Sequence, residues 1–471
     1  EAFKSWSRLP MPHRGEFLRQ VGERLHQHQE RLVRVLVREV GKTPREALGE
    51  VQEAIDLCSF YAAEGHRPMG QLLPSGRWHK RLTVRRRPQG VCAVMTPCNF
   101  PLAIPLWKLL PALLCGNTVV WKPSEDAPSI AYVLTRAFMD AGLPGGVLNV
   151  VHGRGAGGVG QHLIAGIDRG LFQQMSFTGS TAVGRAIGEA CGRNLIAPSL
   201  SLSAKNPMVV MADADLEQAV QGALYGAFSM AGQRCTSIGN LILHRPIAEA
   251  FKARFLEAVS RLTVGNPLED PEVFYGPLIS ARLAKASEEH WEWGRAEGAT
   301  LLCGGAMWTE ENRSSNVVGH IAHGLYPQPC VWEGVTPEMK LFRHEILGPT
   351  VNLTVVETFD EALALVHATP YGLAASLYTQ EPSWIARFED EVGVGMVSIN
   401  DSTVGAEPHQ PFGGMGWSGN GRRDGGAWAL ENYSHWQVLN DNPKGHPDGM
   451  HGEASTSHPR ATYDRTHWDQ L

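Results

Sequence analysis

The chain has 471 residues, of which 43% are hydrophobic and 19% charged, with a formal net charge of −6. That length exceeds what one hydrophobic core organises, so a soluble globular protein of two or more domains is expected. The slightly acidic balance excludes nucleic acid as the main partner, and no apolar run reaches the roughly 18 residues of a membrane span. The eight cysteines are scattered without C-x-x-C pairing, and no H-x-x-x-H pair appears among the histidines after Asn440. Reduced thiols in a cytoplasmic enzyme fit this pattern better than a disulfide framework or a zinc site, and no metal is expected. No secretory signal is visible, but the chain opens mid-helix at Glu1, so this excludes little.

From residue 13 to about 63, Phe17, Val21, Leu25, Leu32, Val35 and Leu36 recur at helical spacing. Gly41-Lys42-Thr43-Pro44 divides the segment into two helices. Residues 81–87 alternate as an exposed strand does, which calls for water or a partner chain on one side. From Gly90 the pattern becomes α/β. Strands are expected at 91–95, 117–122, 147–151 and 174–177, with helices after Pro101 and over 128–142. Units of about thirty residues indicate a parallel sheet with helices on both faces, whose ligands sit at the C-terminal strand ends.

Two glycine-rich turns follow these strands. The run from Gly153 to Gly160 reads as an ordinary surface loop rather than a dinucleotide fingerprint, because a lone glycine run is weak evidence. Gly179-Ser180 directly follows a strand and opens a helix, where backbone N–H groups and the helix dipole can receive an anion. A second α/β block has strands at 207–211 and 240–243 and helices over 215–230 and 247–262. A long polar, glycine-rich connection then runs from Gly265 through Gly304-Gly305 to Phe342. The last block contains a helix over 359–367, strands at 375–378 and 395–400, the loop 411–421 and a closing strand at 433–439. The tail from Asp441 is Gly/His/Pro-rich and irregular.

One stretch could carry covalent chemistry: Phe228 to Ser237, in which Cys235 follows the small Ala231-Gly232 step and the polar Gln233-Arg234 pair. The chain can bend tightly there and hold a thiol beside backbone N–H groups and a cation. Cys235 is thus a candidate nucleophile; equally, a lone cysteine is commonly a small buried hydrophobe.

Seven landmarks in order resolve that choice: Thr96-Pro97-Cys98-Asn99-Phe100-Pro101, Lys122-Pro123-Ser124-Glu125, Phe177-Thr178-Gly179-Ser180, Lys205-Asn206-Pro207, Gly232-Gln233-Arg234-Cys235, Glu345-Ile346-Leu347-Gly348-Pro349 and Pro411-Phe412-Gly413-Gly414. Over essentially its whole length the chain resembles the aldehyde dehydrogenase superfamily. The resemblance implies an α/β fold with a Rossmann-like NAD-binding domain over 1–70 and 89–204 and a catalytic domain over 205–412. It also implies oligomerisation strands at 71–88 and 432–440, and hence a homodimer or homotetramer. Cys235 is implied as the thiolate that attacks an aldehyde carbon, with the Asn99 amide and the Cys235 N–H holding the oxyanion. Lys122 and Glu125 are implied to hold the adenosine ribose, which favours NAD over NADP because a carboxylate repels a 2′-phosphate. Ser180, after Gly179, matches the pyrophosphate contact and Glu345 the nicotinamide ribose contact. Thr96, Pro97, Cys98, Ser124, Lys205 and Leu347 complete the implied cofactor-binding set.

The departures are as informative. Ser201 stands where most members carry a glutamate that serves as general base for thioester hydrolysis, help worth roughly a hundred- to ten-thousand-fold. Cys98 replaces a tryptophan and Leu347 a phenylalanine, leaving room around the cofactor. The leading expectation is NAD-dependent oxidation of a small aldehyde to a carboxylic acid with slow deacylation. Transfer of the acyl group to coenzyme A, as in the methylmalonate-semialdehyde type, is the second, since a thiol acceptor needs less base. A catalytically retired binding or structural member is the third. The aldehyde itself is left open, with Trp107, Met230, Glu407 and His409 as candidate lining residues.

Overall fold

The computed structural model describes residues 1–76 and 80–443. They fall into two compact units: 1–66 with 88–434, and the described residues of 67–87 with 435–443.

In the first unit the opening helices are Met11–Gln27, Gln29–Val40 and Pro44–Glu64. The apolar spacing from residue 17 to 36 suggested one continuous helix. His28, at φ −111° and ψ 18°, interrupts it as the single residue between Met11–Gln27 and Gln29–Val40. Pro44–Glu64 starts with a capping box: Thr43 accepts from the Glu46 N–H while Glu46 accepts from the Thr43 N–H.

A five-stranded parallel sheet follows, in the order Leu148–Val150, Thr118–Lys122, Val91–Met95, Gln174–Thr178, Ser199–Ser201. The chain builds outward from Val91–Met95 to one side and then returns to add strands on the other. The order therefore reverses between Val91–Met95 and Gln174–Thr178, and a crevice opens at their C-terminal ends. The buried helix Ala103–Leu114, almost wholly apolar, packs against the strands Val91–Met95 and Thr118–Lys122 of this sheet.

A seven-stranded sheet is ordered Thr300–Cys303, Cys330–Glu333, Thr350–Val356, Ile238–His244, Asn206–Val210, Ala374–Tyr378, Met396–Ile399. All neighbours are parallel except the antiparallel edge strand Thr300–Cys303. The expectation of a long irregular connection after Gly265 is corrected here. The helix Ala281–Ala296 and the strands Thr300–Cys303 and Cys330–Glu333 lie within it. Leu283, Ala284, Ser287, Trp291 and Gly294 form the helix's buried stripe, and Gly294 lies against the ring of buried Trp332. Two small or polar members, Ser287 and Gly294, made that stripe hard to see among six charged positions.

In the second unit Gly70–Leu73, Arg81–Pro88 and Ser434–Asp441 form a three-stranded sheet. Arg85 donates to Gln437 (3.0 Å), and the Arg86 guanidinium lies 4.3 Å from the centroid of Trp436. Leu72, Val438, Trp436 and Leu439 are exposed on its strands. The tail expected to be irregular lies, from residue 444, outside the described residues. Among the described residues no helix is long and apolar enough to cross a membrane, and no group of three or more His, Cys, Asp or Glu could hold a metal. All eight cysteines are free thiols.

Candidate active site

The helix Leu216–Phe228 stops sooner than its apolar spacing suggested, and the chain turns through three consecutive left-handed residues: Met230 (φ 54°), Ala231 (φ 55°) and Gly232 (φ 69°). Two of these carry a Cβ, and each costs on the order of 1–2 kcal/mol in that region. The surroundings hold them there. The Glu46 carboxylate accepts from Met230 N (2.7 Å), the Gln233 amide donates to Met230 O (2.9 Å), and the Gln233 side-chain oxygen accepts from Ile279 N (3.0 Å). Downstream, Asn206 donates to the carbonyls of Cys235 and Ser237 (2.8 Å each), and Thr403 to that of Thr236 (2.6 Å). At Gly232 an added Cβ would lie 2.1 Å from Gly348 O. The bend predicted before Cys235 is present, and it is held by four residues from distant parts of the chain, Glu46, Asn206, Ile279 and Thr403.

This loop presents Cys235 half-buried. Burial and the nearby Glu345 carboxylate push its thiol up to about 12, while Arg234 and the N–H groups of Cys235 and Thr236 act in the opposite direction. The Asn99 amide donates to Gln233 O at 2.9 Å, and the Asn99 side-chain oxygen accepts from Phe100 N. That fixes the amide's orientation and leaves its second N–H unassigned to these partners.

Cys235 lies where two cavities meet. One, of about 640 Å³, runs along the crevice of the five-stranded sheet and is lined by Thr96, Pro97, Cys98, Asn99, Lys122, Ser124, Glu125, Gly179, Ser180, Glu345 and Leu347 as well as Cys235. The sequence-predicted cofactor residues are thus brought together, with one exception: Lys205 is not on this lining, and lies behind it, buried beside Gly239.

Along this cleft, Lys122 donates to Glu125 (2.9 Å) and to Pro123 O (3.0 Å). Burial opposes ionisation of Glu125, but the Gly155 N–H (3.0 Å) and Lys122 outweigh it and hold the carboxyl down at about 2. The glycine run 153–160, expected to be an ordinary surface loop, therefore needs correction: Gly155, Ala156 and Gly160 form part of the cleft wall. The signal was its place directly after a strand at the sheet's C-terminal edge. Ser180 caps the helix Thr181–Arg193, accepting from Val183 N, and Thr181 N donates to Ser203 Oγ (3.4 Å), so the first-turn N–H of Ala182, a residue on the cleft wall, is left for a ligand. Thr96 accepts from Trp121 Nε1 (3.0 Å), which fixes the turn that carries Asn99.

At the inner end Glu345 accepts from Ala204 N (2.9 Å). Burial raises its pKa, opposed by the Ser203 hydroxyl, that N–H and Lys205. Lys205 is buried with no hydrogen-bond partner at Nζ among the described residues; burial lowers it to about 7, opposed by Glu345. Cys98 is buried, with its thiol raised to about 11 by burial and Asp126.

The second cavity, of about 130 Å³, lies on the other side of Cys235 and is walled by Phe100, Trp107, Phe412 and Thr236, with Ser201, Arg234, Glu53 and Asp424 as its polar members. Trp107 packs edge-on against Phe412 (5.1 Å between centroids) and donates to Glu53 (2.7 Å). Asp424 is paired with the fully buried Lys108 (2.7 Å) and accepts from Ser199 (3.3 Å). Of the four candidate lining residues, only Trp107 is on this wall. Met230 is buried within the strained turn, while Glu407 and His409 face each other at 3.5 Å on the surface. Sequence reasoning missed Glu53, which sits mid-helix on Pro44–Glu64, 182 positions before Cys235; its charge between apolar Val51 and Ala54 was the available signal.

An ionised carboxylate held by a backbone N–H and by Lys122, with a helix N-terminus in the same crevice, fits a dinucleotide's hydroxyls and pyrophosphate. Known proteins agree. The Aldehyde dehydrogenase family profile matches residues 1–439. An α-ketoglutaric semialdehyde dehydrogenase of Bacillus subtilis is 37% identical over 431 residues, 92% of this chain and 86% of that protein. A benzaldehyde dehydrogenase [NAD(+)] of Pseudomonas putida is 35% identical over 449 residues, 95% and 88% of the two chains. Betaine aldehyde dehydrogenase of Staphylococcus aureus, solved in complex with NAD+, superposes with a TM-score of 0.89 at 28% identity, over 96% of this chain and 87% of that one. The chain belongs to the aldehyde dehydrogenase family, oxidoreductases that turn aldehydes into acids.

Proposed function

We propose that this chain oxidises a small aldehyde to its carboxylic acid with NAD, through a thiohemiacetal and then a thioester on Cys235. The observation that carries the reading is the position of Cys235, on the shared wall of a dinucleotide-sized cleft and a small aromatic cavity. The aldehyde carbon enters from the aromatic side and is attacked by the sulfur, whose proton passes to solvent; Glu345 is the carboxylate whose charge the thiol feels. Asn99 and the Cys235 N–H receive the oxyanion. Bound NAD supplies the acceptor for the hydride leaving that carbon. Lys122, Glu125 and Ser180 hold its adenosine ribose and pyrophosphate, and Glu345 its nicotinamide ribose. The low pKa of Glu125 keeps it ionised at neutral pH, which favours NAD over NADP. In this reading residues 1–70 and 89–204 bind the cofactor, 205–412 carry the chemistry, and the strands at 71–88 and 432–440, with their exposed apolar side chains, pair in a homodimer or homotetramer.

Deacylation sets the pace. Ser201 lines the cavity beside Cys235 where a general base is needed, and a hydroxyl cannot take a proton from water at neutral pH. That same absence favours a second acceptor, coenzyme A, whose thiol needs less help. Mixing enzyme with aldehyde and NAD is expected to give a burst of NADH about equal to enzyme, followed by a slow steady rate. A linear trace without a burst would remove slow deacylation from the account. Coenzyme A that accelerates the steady phase and yields acyl-CoA would establish the second acceptor.

A further inference from the structure

Two carboxylates on the helix Pro44–Glu64 take no part in the steps above, yet each grips one half of the reacting centre. Glu46 and Glu50 are four residues apart and so lie on the same face of that helix. Glu46 completes the capping box with one oxygen, accepting from Thr43 N (3.0 Å), and with the other accepts from Met230 N (2.7 Å) in the left-handed turn before Cys235. Glu50 accepts with a single oxygen from Leu102 N (2.8 Å) and Ala103 N (3.1 Å), where the helix Ala103–Leu114 begins just after Asn99. Leu102, at the N-cap, has no side-chain oxygen to offer, so this helix takes its cap from another one. The second Glu50 oxygen is paired with Lys42; both side chains are fully buried, and the Lys42 ammonium lies 3.7 Å from the centroid of Phe100. The Asn99 amide in turn donates to Gln233 O (2.9 Å), two residues before Cys235.

We propose that Glu46 and Glu50 are positioning residues for the attack on the carbonyl, one helix face that sets the spacing between the Asn99 amide and the Cys235 N–H. This rests on Cys235 being the nucleophile and on those two groups receiving the oxyanion. Glu46 fixes the nucleophile loop, Glu50 the arm that carries Asn99, and one rigid helical turn of about 5.4 Å separates the two grips. A buried ion pair such as Lys42–Glu50 is a poor source of stability, because apolar side chains of the same size commonly do as well or better. Geometry is what it secures. The two oxyanion donors come from residues far apart in the chain, and an error of about 1 Å in their placement can cost roughly a hundredfold in rate.

The test compares two reactions of the Cys235 sulfur that need no dinucleotide. With iodoacetamide a C–S bond forms, the C–I bond breaks and the thiol proton passes to solvent; no oxyanion arises. With p-nitrophenyl acetate the sulfur adds to the carbonyl, the oxyanion collapses with loss of p-nitrophenolate, and an acetyl thioester remains. The ratio of the two rates therefore reports the oxyanion donors apart from the thiol. Lys42→Met/Glu50→Leu, which exchanges the ion pair for hydrocarbon of similar size, is expected to slow ester acylation roughly tenfold to a hundredfold and alkylation by no more than about twofold. Lys42→Met/Glu50→Gln restores an oxygen for Leu102 N and Ala103 N and should recover most of that loss. Equal acylation rates in the two double variants, or an equal fall in both reactions, overturn the role of Glu50. On the other grip, Glu46→Ala should slow both reactions at least about tenfold, whereas Thr43→Ala, which breaks the same capping box but leaves Met230 N bonded, should slow neither. A matching fall in Glu46→Ala and Thr43→Ala overturns the role of Glu46, and this pair carries the decision if the leucine variant does not fold. Both reactions persisting unchanged in Cys235→Ser would defeat the nucleophile reading itself, an outcome distinct from all of these.

Discussion

The two cavities that meet at Cys235 are built on opposite plans. In the cofactor cleft, charge is held by the main chain or by a fixed neighbour: Glu125 by Gly155 N and Lys122, Glu345 by Ala204 N. The substrate cavity is mostly ring surface, and its one carboxyl group free of an ion pair, Glu53, stands on a helix from a remote part of the chain. A cleft of the first kind is specified by turns at strand ends and suits one unchanging ligand. A cavity of the second kind is specified by side chains that can be exchanged without disturbing any backbone hydrogen bond, and such a surface sets substrate choice. Ser201 belongs to the second group: its backbone carries the sheet, accepting from Gly179 N at 3.1 Å, while its side chain faces the cavity.

The sharpest way to break this contrast is to place a carboxylate at Ser201. If Ser201 is free of structural duty, Ser201→Glu should fold and raise the steady-state rate of acid formation by roughly a hundredfold or more, since general-base assistance is worth about 10²–10⁴. The NADH burst should disappear into a linear trace. A variant that folds and gains nothing would show that water activation at this site depends on another group.

A contrasting outcome is expected on the cleft side, where backbone leaves no freedom. Gly232→Ala places a Cβ 2.1 Å from Gly348 O, at φ 69°. The left-handed conformation alone costs about 1–2 kcal/mol, and backbone cannot move aside as a side-chain tip can, so a total loss of about 3 kcal/mol or more is expected. Thermal melting measures it, and the iodoacetamide labelling rate of Cys235 reports whether the thiol has shifted. A melting temperature within a degree of the unaltered protein would mean that the loop is not held as the hydrogen bonds around Met230 and Gln233 indicate.

The same division explains what could be read from the chain beforehand. Cleft residues sit in short motifs whose glycines, prolines and caps have local physical reasons: Gly179-Ser180 after a strand, Gly232 at a left-handed turn, Lys122 and Glu125 three apart on one turn. Local sequence is enough to find these. The helix Ala281–Ala296 was missed because its buried stripe includes Ser287 and Gly294, which a hydrophobic-periodicity argument counts as breaks. Glu53 was missed because no local rule connects a mid-helix glutamate to a thiol 182 positions away; only the packing of Pro44–Glu64 against Ala103–Leu114, which brings Trp107 to it, makes the link. Lys205 was expected to touch the cofactor; it is not on the cleft lining, and its side chain lies next to Gly239.

The smallest expected effect lies at the rim of the cleft, where Glu125 is partly exposed. Here the main chain supplies one of the two restraints on the carboxylate, and Lys122 the other. Glu125→Gln retains an acceptor for Gly155 N but removes the charge. Affinity for NAD should weaken by about tenfold or less, in line with one charge-assisted hydrogen bond at a half-open site. Affinity for NADP should rise at the same time, because the anion that repels a 2′-phosphate is gone while Lys122 remains. Since Glu125 is held at about 2, the unaltered enzyme should show no change in its preference between NAD and NADP from pH 5 to pH 9 that this group could cause. Titration of both dinucleotides against the two proteins, at low and at physiological salt, separates charge repulsion from lost hydrogen bonding: only the former shrinks as ions screen it.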